Sequence, residues 1–170
     1  MKFPMTPRGY ERMKDELRAC KAERPRIADV ILEAREHGDL SENAEYHAAK
    51  EKQAFLEARI RELEAKIGQA QVIDPAKLSG GRVVFGATVK LADAESGDEQ
   101  EFTIVGEDES DVKQGLISIT SPMARALLNH QEGEEVQVKT PKGPHSYEIV
   151  KVTFRPLLEA TPASPSASGR

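Results

Sequence analysis

The side chains best suited to chemistry in this 170-residue sequence gather in one short stretch, residues 35–46. Carboxylates and imidazoles of this kind bind metal ions or transfer protons. Within the stretch, Asp39 and Glu42 have the spacing of a capping box, in which both side chains bond backbone amides at a helix start. Spacing alone therefore favours a helix-capping role for these two carboxylates. The neighbouring ionisable residues are interpreted as polar surface: Glu36, His37 and Glu45.

Two apolar repeats flank this stretch and predict a helical hairpin. Counted outward in alternating steps of three and four, the positions on both sides are apolar except Arg24 and Gln53. An apolar seam with a 3.5-residue period is what supercoiled helices bury against each other. Folding the chain at residue 40 pairs the seams in antiparallel register, with Leu17 opposite Leu63. The seam positions are Tyr10, Met13, Leu17, Cys20, Arg24, Ile27, Ile31 and Ala34, then Tyr46, Ala49, Gln53, Leu56, Ile60, Leu63, Ile67 and Ala70.

Local signals set the expected bounds of the first helix. The Thr6–Pro7 dipeptide is typical of a helix start, with threonine as N-cap and proline at the first helical position. The seam continues in phase across Pro25, so we expect a kink there rather than a break. The helix is expected to run to about Glu36 and to stop at Gly38 as its C-cap.

The second helix is expected to begin between Asp39 and Ser41 and to run to about Gln71. Asp74–Pro75 ends it, because a residue before proline is pushed away from helical angles. Arms of roughly 30 residues would each be about 45 Å long at a rise of 1.5 Å per residue. Two helices that bury only one seam against each other do not form a compact domain. We therefore expect the hairpin to be a protrusion whose tip reaches a partner.

From Arg82 onward the apolar period changes to two, which predicts strands. The adjacent apolar residues Ile149 and Val150 shift the alternation and favour a β-bulge. We predict an α+β domain of roughly 75 residues, near the lower limit for an independent core. Its expected elements are strands at 83–91, 102–105, 116–119, 136–138 and 147–154, and a short helix at 122–128 capped by Ser121.

Composition bounds the class of protein. The net charge of −5 argues against a nucleic-acid binder that uses its whole surface. Cys20 is the only cysteine, which excludes a disulfide within the chain and cysteine-ligated zinc. The sequence lacks a long apolar run, so we expect neither signal peptide nor membrane contact, and we expect a monomer in the cytoplasm.

Several blocks of this sequence resemble one known family, the bacterial Gre transcript cleavage factors of GreA type. The resemblance covers Met5 to Leu157. It implies a coiled-coil hairpin over residues 1–76 with its tip at about 36–46 and an FKBP-like antiparallel-sheet domain at 82–158. The Ser79-Gly80-Gly81 run predicts a flexible linker at 77–81, and the tail at 159–170 has nothing to bury and is expected to be disordered. The blocks are residues 33–50, 81–89, 116–118, 121–125 and 139–141.

The resemblance also implies a function. The hairpin of the family enters the secondary channel of RNA polymerase, and two tip carboxylates help hold a second Mg²⁺ in the polymerase active site. These carboxylates map onto Asp39 and Glu42, which would bind no metal stably by themselves. The expected result is cleavage of backtracked RNA near its 3′ end by the polymerase itself, so this chain is expected not to be an enzyme. Ser121 and Pro122 either start a helix or also contact the rim of the channel.

Basic residues on the rod have two interpretations. Arg24, Arg26, Lys50 and Lys52 are candidates for a face that tracks RNA phosphates. Acidic residues are interleaved with them, so an ordinary mixed surface is equally compatible with the pattern.

Three functions compete. The first is cleavage stimulation, and the second is a channel-binding regulator that inhibits transcription. The third is a coiled-coil chaperone or a prolyl isomerase, for which the scattered aromatic residues give poor support, since a shared fold is not a shared function.

Overall fold

Two long helices and a five-stranded sheet dominate the structure, a computed structural model that describes residues 2–39 and 43–157. The chain divides into two units, one at Tyr10–Ala70 and one that joins Lys2–Gly9 to the residues from Gln71 onward. The expected tail at 159–170 lies outside the described residues, and so do residues 40–42 of the expected tip.

The first unit is the predicted helical hairpin. Helix α1 spans Pro7–Arg35 and helix α2 spans Ala44–Gly68. Arg24 alone among the seam positions is exposed, and Ile60 and Leu63 are fully buried. The seam is therefore confirmed as the surface that the two helices bury. Helix α1 is unbroken at Pro25, as expected from the continuous phase of the seam.

Ion pairs reinforce the register of the hairpin. Within the described residues, three pairs join side chains on opposite helices. Such exposed pairs contribute little net stability because water screens them, but they disfavour a shifted register. The cross-helix pairs are Glu16 with Arg59, Lys21 with Glu64, and Arg24 with Glu57.

Helix α1 begins as the sequence predicts. The Thr6 hydroxyl oxygen accepts a hydrogen bond from the Gly9 amide at 3.2 Å, which is the bond of an N-cap. The Glu109 carboxylate accepts two further hydrogen bonds, one from the Thr6 amide at 3.0 Å and one from the Gly106 amide at 3.0 Å. Glu109 thus fastens the start of the chain within its own unit.

The end of α2 differs from the prediction. The helix stops at Gly68 rather than near Gln71, because the chain turns into strand β2 at Ala70–Val72. This strand pairs with β1 at Phe3–Met5 in a two-stranded sheet. Strands of three residues are too short to show a period-two pattern, so the sequence did not predict this sheet.

The larger sheet carries the predicted α+β fold of the second half. Four strands pair antiparallel, but β5 pairs parallel to β4 at one edge, so the expected all-antiparallel sheet is wrong there. The connection between these two strands contains two short 3₁₀ helices instead of a tight turn, and it returns the chain in the same direction. The strands, in sheet order β5-β4-β3-β7-β6, are β3 Thr88–Asp93, β4 Glu99–Val105, β5 Leu116–Ser118, β6 Glu135–Thr140 and β7 Gly143–Thr153.

One face of this sheet packs with helix α3, Pro122–Leu127, around a single apolar core. Lys90 on β3 pairs with Lys151, and the next residue, Leu91, pairs with Ile149. Val150 is therefore an extra residue on β7, which confirms the predicted bulge. The bulge keeps Ile149 fully buried while Val150 is 41% exposed. None of the helices in residues 2–39 and 43–157 has an apolar stretch long enough to cross a bilayer.

Candidate functional site

The tip of the hairpin begins where helix α1 ends. After Arg35 the chain tightens, and the Glu36 amide bonds the Glu33 carbonyl at 3.1 Å while the His37 amide bonds the Ala34 carbonyl at 3.2 Å. Gly38 then adopts a φ of 115°, a left-handed conformation that favours glycine. The helix ends at Arg35, three residues before Gly38, so the prediction of Gly38 as its C-cap is wrong, and Gly38 instead supplies the left-handed residue of the turn that follows.

Helix α2 begins on a residue that the sequence prediction overlooked. Its N-cap is Asn43, whose Oδ1 accepts a hydrogen bond from the Tyr46 amide at 3.1 Å. Asp39 is therefore not the N-cap of α2, and the predicted partner in the capping box, Glu42, lies outside the described residues. Asparagine is among the best capping residues, and Asn43 directly precedes the helical run. The position of Asn43 directly before the helical run was the sequence signal that could have identified it as the N-cap. The spacing of Asp39 and Glu42 was preferred because it matches a capping box.

Asp39 is an exposed residue of the tip. It lines an open hollow of about 410 Å³ together with His37, Asn43, Ala44 and Glu45. Carboxylate oxygens at such a position are the hard donors that Mg²⁺ prefers, so the residue type fits that ion. Glu42 lies outside the described residues. Throughout the described part of the chain, histidine, cysteine and acidic side chains form no group of three or more that could hold a metal ion.

The four predicted basic residues do not share one location. Arg26 and Lys52 line one cleft on the half of the hairpin nearer the tip, whereas Lys50 lines another. Arg24 makes a two-pronged ion pair with Glu57, at 2.8 and 2.9 Å. This hydrogen bonding and charge lower the pKa of Glu57 below its ordinary value and raise that of Arg24. Phosphate contact by these residues stays a prediction.

Local contacts also engage Arg26 and Lys50. Arg26 bonds Glu23 one turn away at 2.7 Å, and the Lys50 ammonium donates to the Gln53 side chain at 3.2 Å. The alternative of a mixed, solvated surface therefore accounts for the contacts of both residues.

The predicted rim residues start helix α3. The Ser121 hydroxyl oxygen accepts a bond from the Ala124 amide at 3.2 Å, and Pro122 is the first helical residue. Their capping role is confirmed, and contact with a partner stays a prediction. Pro122 is exposed, while Ser121 is half-buried.

Another polar cluster holds the turn between β3 and β4. Asp93 accepts bonds from the backbone amides of Glu95 at 2.8 Å and Ser96 at 3.2 Å, and it contacts the His145 ring at 2.5 Å. The Glu95 amide contributes most to lowering the pKa of Asp93, and His145 adds to it. These bonds stabilise the turn between β3 and β4.

Comparison with known proteins gives consistent matches along the chain. Residues 3–72 match the family model described as "Transcription elongation factor, N-terminal", and residues 78–154 match "Transcription elongation factor, GreA/GreB, C-term". Relatives named transcription elongation factor GreA include that of Alkalilimnicola ehrlichii, 57% identical over 90% of this chain and 98% of the relative. The Jannaschia relative of the same name is 58% identical with the same coverage of each chain. The crystal structure of GreA factor homolog 1 from Thermus thermophilus is 30% identical, covers 89% of this chain and 99% of its own, and has a TM-score of 0.42.

Proposed function

Because this chain belongs to the GreA/GreB family of transcription elongation factors, we propose that its hairpin enters the secondary channel of bacterial RNA polymerase. There it stimulates the polymerase to cleave backtracked RNA near the 3′ end, which rescues arrested complexes. The observation that carries the proposal is the exposed carboxylate of Asp39 at the tip of a narrow two-helix rod.

The hairpin has dimensions suited to this reach. A helix of 29 residues such as α1 is about 43 Å long at 1.5 Å per residue, and each helix is about 10–12 Å wide with its side chains. The buried seam keeps the two helices together over this length, and the cross-helix ion pairs disfavour a shifted register. A rod of this kind delivers its tip into a passage too narrow for a globular domain.

At the tip, Asp39 and Glu42 would hold Mg²⁺ together with groups of the polymerase and the RNA. A protein usually gives Mg²⁺ only one or two carboxylates, with water and phosphate oxygens as the other ligands. When bound, the ion would supply the positive charge that activates a water and stabilises the leaving oxygen of a phosphodiester. The chain thus contributes two carboxylates, and it is not itself a nuclease.

Other surfaces have supporting roles in this proposal. Ser121 and Pro122 contact the rim of the channel, and Arg26 and Lys52 face the extruded RNA. The chain acts as a monomer in the cytoplasm, where the polymerase is found, and it holds no cofactor when alone.

The test uses halted, backtracked elongation complexes with 3′-labelled RNA and the cognate polymerase. Wild-type protein is expected to release short 3′ fragments, and the Asp39→Ala/Glu42→Ala variant is expected to bind equally but cleave about 100-fold more slowly or worse. That is the scale expected when a preorganised electrostatic contact is lost.

A matched control is Glu33→Ala/Glu51→Ala, which removes two exposed carboxylates from the helices and leaves the tip intact. It is expected to cleave like wild type. Binding without fragment release by wild type would instead identify a channel-binding inhibitor, and absence of binding would contradict the proposed partner.

A further inference from the structure

The face of the larger sheet opposite its apolar core carries an open hollow of about 500 Å³. Successive side chains of a strand point to opposite faces, and on β3 Val89 and Leu91 are fully buried in the core. Thr88 and Lys90 therefore lie on the other face. The hollow has a polar, largely basic lining, which consists of Thr88, Lys90, Glu101, Lys151, Thr153, Phe154 and Arg155.

Two lysines face each other across neighbouring strands in this hollow. Lys90 on β3 is the register partner of Lys151 on β7. Like charges directly opposite each other destabilise a sheet. The Lys90 ammonium pairs with the Glu99 carboxylate at 3.0 Å, whereas Lys151 has no ion pair among residues 2–39 and 43–157. The positive charge of Lys151 is thus left uncompensated, and a bound anion would relieve its repulsion from Lys90.

Threonine hydroxyls form the floor of the hollow. Thr88 is only 4% exposed, and its register partners are Thr103 on β4 and Thr153 on β7. The hydroxyl oxygens of Thr88 and Thr103 lie 2.9 Å apart, and either can be the donor. Because this bond uses only one of the two hydroxyl hydrogens, the hydrogen of Thr88 is available to a ligand when Thr103 donates.

An ion pair bounds the hollow on its other side. Glu101 on β4 is the second register partner of Lys90, so it lies on the opposite side of Lys90 from Lys151. Its carboxylate binds the guanidinium of Arg155. Arg155 is thereby engaged, and the Glu101 carboxylate disfavours an anion at its own end. The lysine end is the place where one anionic group fits.

We propose that this hollow binds a small phosphate monoester, with the phosphate between Lys90 and Lys151. The three terminal oxygens of such a phosphate can accept hydrogen bonds from both ammonium groups and from the Thr88 hydroxyl. Lysine binds phosphate as a point charge. A volume of about 500 Å³ lies within the range of about 300–1,000 Å³ of small-ligand sites. It exceeds what a phosphate ion fills and leaves room for an organic group beside the half-buried Phe154.

A long nucleic-acid strand suits this hollow less well than a small ligand. The chain has a net charge of −5, which repels an extended polyanion along most of the surface. The basic residues converge on one hollow, whereas tracking a phosphate backbone requires a series of contacts along a path. The inference is independent of the function proposed for the hairpin tip.

The test is an NMR titration of the isotope-labelled full chain with ribose 5-phosphate at constant ionic strength. The backbone amide signals of Lys90, Lys151 and Thr153 are expected to shift, with half-saturation at about 1 mM, the affinity of a few charged contacts at a protein surface. Ribose without the phosphate is expected to leave these signals in place. Absence of shifts with ribose 5-phosphate, or equal shifts with ribose, would overturn the proposal.

Lys151→Gln supplies the decisive variant. It is expected to weaken binding of ribose 5-phosphate about 10-fold or more, and to unfold at the wild-type temperature or slightly above it because the like-charge pair is removed. The matched control is Lys139→Gln, which changes an exposed lysine of β6 outside the hollow and is expected to bind like wild type. Equal weakening in both variants would reduce the effect to overall charge and contradict the site.

Two further probes distinguish other occupants. A hexauridylate without terminal phosphates offers only phosphodiesters, and a hexaglutamate peptide offers only carboxylates. Both are expected to shift the three amide signals less than ribose 5-phosphate does at equal concentration. Stronger binding of the hexauridylate would assign the hollow to a nucleic-acid strand, and stronger binding of the peptide would assign it to an acidic protein segment. Either result would overturn the proposed ligand class.

Discussion

The two halves of the hairpin are held together by different means. In the half remote from the tip, the large side chains of Ile60 and Leu63 are fully buried, and the cross-helix ion pairs join residues 16–24 to residues 57–64. Near the tip the buried seam contains Ile31 beside the small residues Ala34 and Ala49, and Asn43 supplies a polar contact between the helices.

This difference suggests that the half remote from the tip stabilises the hairpin, whereas the half near the tip positions the residues of the turn. Large aliphatic side chains bury much area and stabilise the hairpin, but they define the position of a distant turn poorly. Small seam residues let the helices approach closely, and a directional hydrogen bond then fixes their ends. We expect substitutions in the remote half to change unfolding more than activity, and substitutions near the tip to do the reverse.

The largest expected effect on stability is that of Leu63→Ala. Removing a fully buried leucine loses its transfer free energy and leaves a cavity, which costs about 2–5 kcal/mol of unfolding free energy. Thermal unfolding followed by circular dichroism measures this loss. At a temperature where the variant remains folded, its cleavage rate at saturation is expected to match wild type. A rate that falls while the helices stay folded would contradict the separation of the two halves.

Gly38→Ala is expected to cost less stability and to impair activity more. A Cβ at Gly38 would meet nothing within 4 Å, so the cost comes from the φ of 115° and is about 1–3 kcal/mol of local strain. The chain can relieve this strain by changing φ, which displaces Asp39. We therefore expect a clear loss of cleavage at saturating factor with nearly unchanged polymerase affinity.

Gly68→Ala is the matched control for this substitution. Gly68 is the last residue of α2, lies outside the positive-φ glycines and also has open space around its Cβ position. It is expected to be neutral or slightly stabilising, because alanine is the better helix former. Equal losses of cleavage in the two variants would show that the conformation of Gly38 is unimportant.

The hairpin was predictable because its signal is local and repeated. Each turn of helix contributes a seam residue, so an occasional polar residue such as Gln53 does not hide the period. The small strands β1 and β2 have no such repetition, and the parallel direction of β5 depends on a long connection that periodicity does not describe. Predictions failed where distant segments, rather than successive residues, determine the structure.

The candidate site was predicted less completely than the fold. Resemblance to a family placed Asp39 at the tip, and the structure describes it there as an exposed residue. Spacing alone suggested the wrong N-cap, because Asp39 and Glu42 resemble a capping box as well as a pair of ligands. The bond from Asn43 to Ala34 spans nine positions and depends on the exact path of the turn, so no sequence pattern pointed to it.

The smallest expected effect concerns the ion pair of Arg24 with Glu57 in the remote half. Because the pair lowers the pKa of Glu57 below its ordinary 4.5, it stabilises the folded hairpin above that pH. This contribution is lost as pH falls through the lowered pKa and Glu57 becomes protonated. Thermal unfolding is measured for wild type and Glu57→Gln from pH 7 to pH 3. The unfolding temperature of wild type is expected to be slightly higher, and this difference is expected to shrink below about pH 4.5.

The control for this titration is Glu51→Gln, which removes an exposed glutamate of α2 outside the cross-helix pairs. At neutral pH, the unfolding temperature of Glu51→Gln is expected to differ from that of wild type by less than the unfolding temperature of Glu57→Gln does. Cleavage at saturation should be normal in both variants, because neither change reaches the tip. If Glu57→Gln instead lowers the backbone NMR order parameter of Asp39, the remote half also positions the tip, and the division of roles between the two halves is wrong.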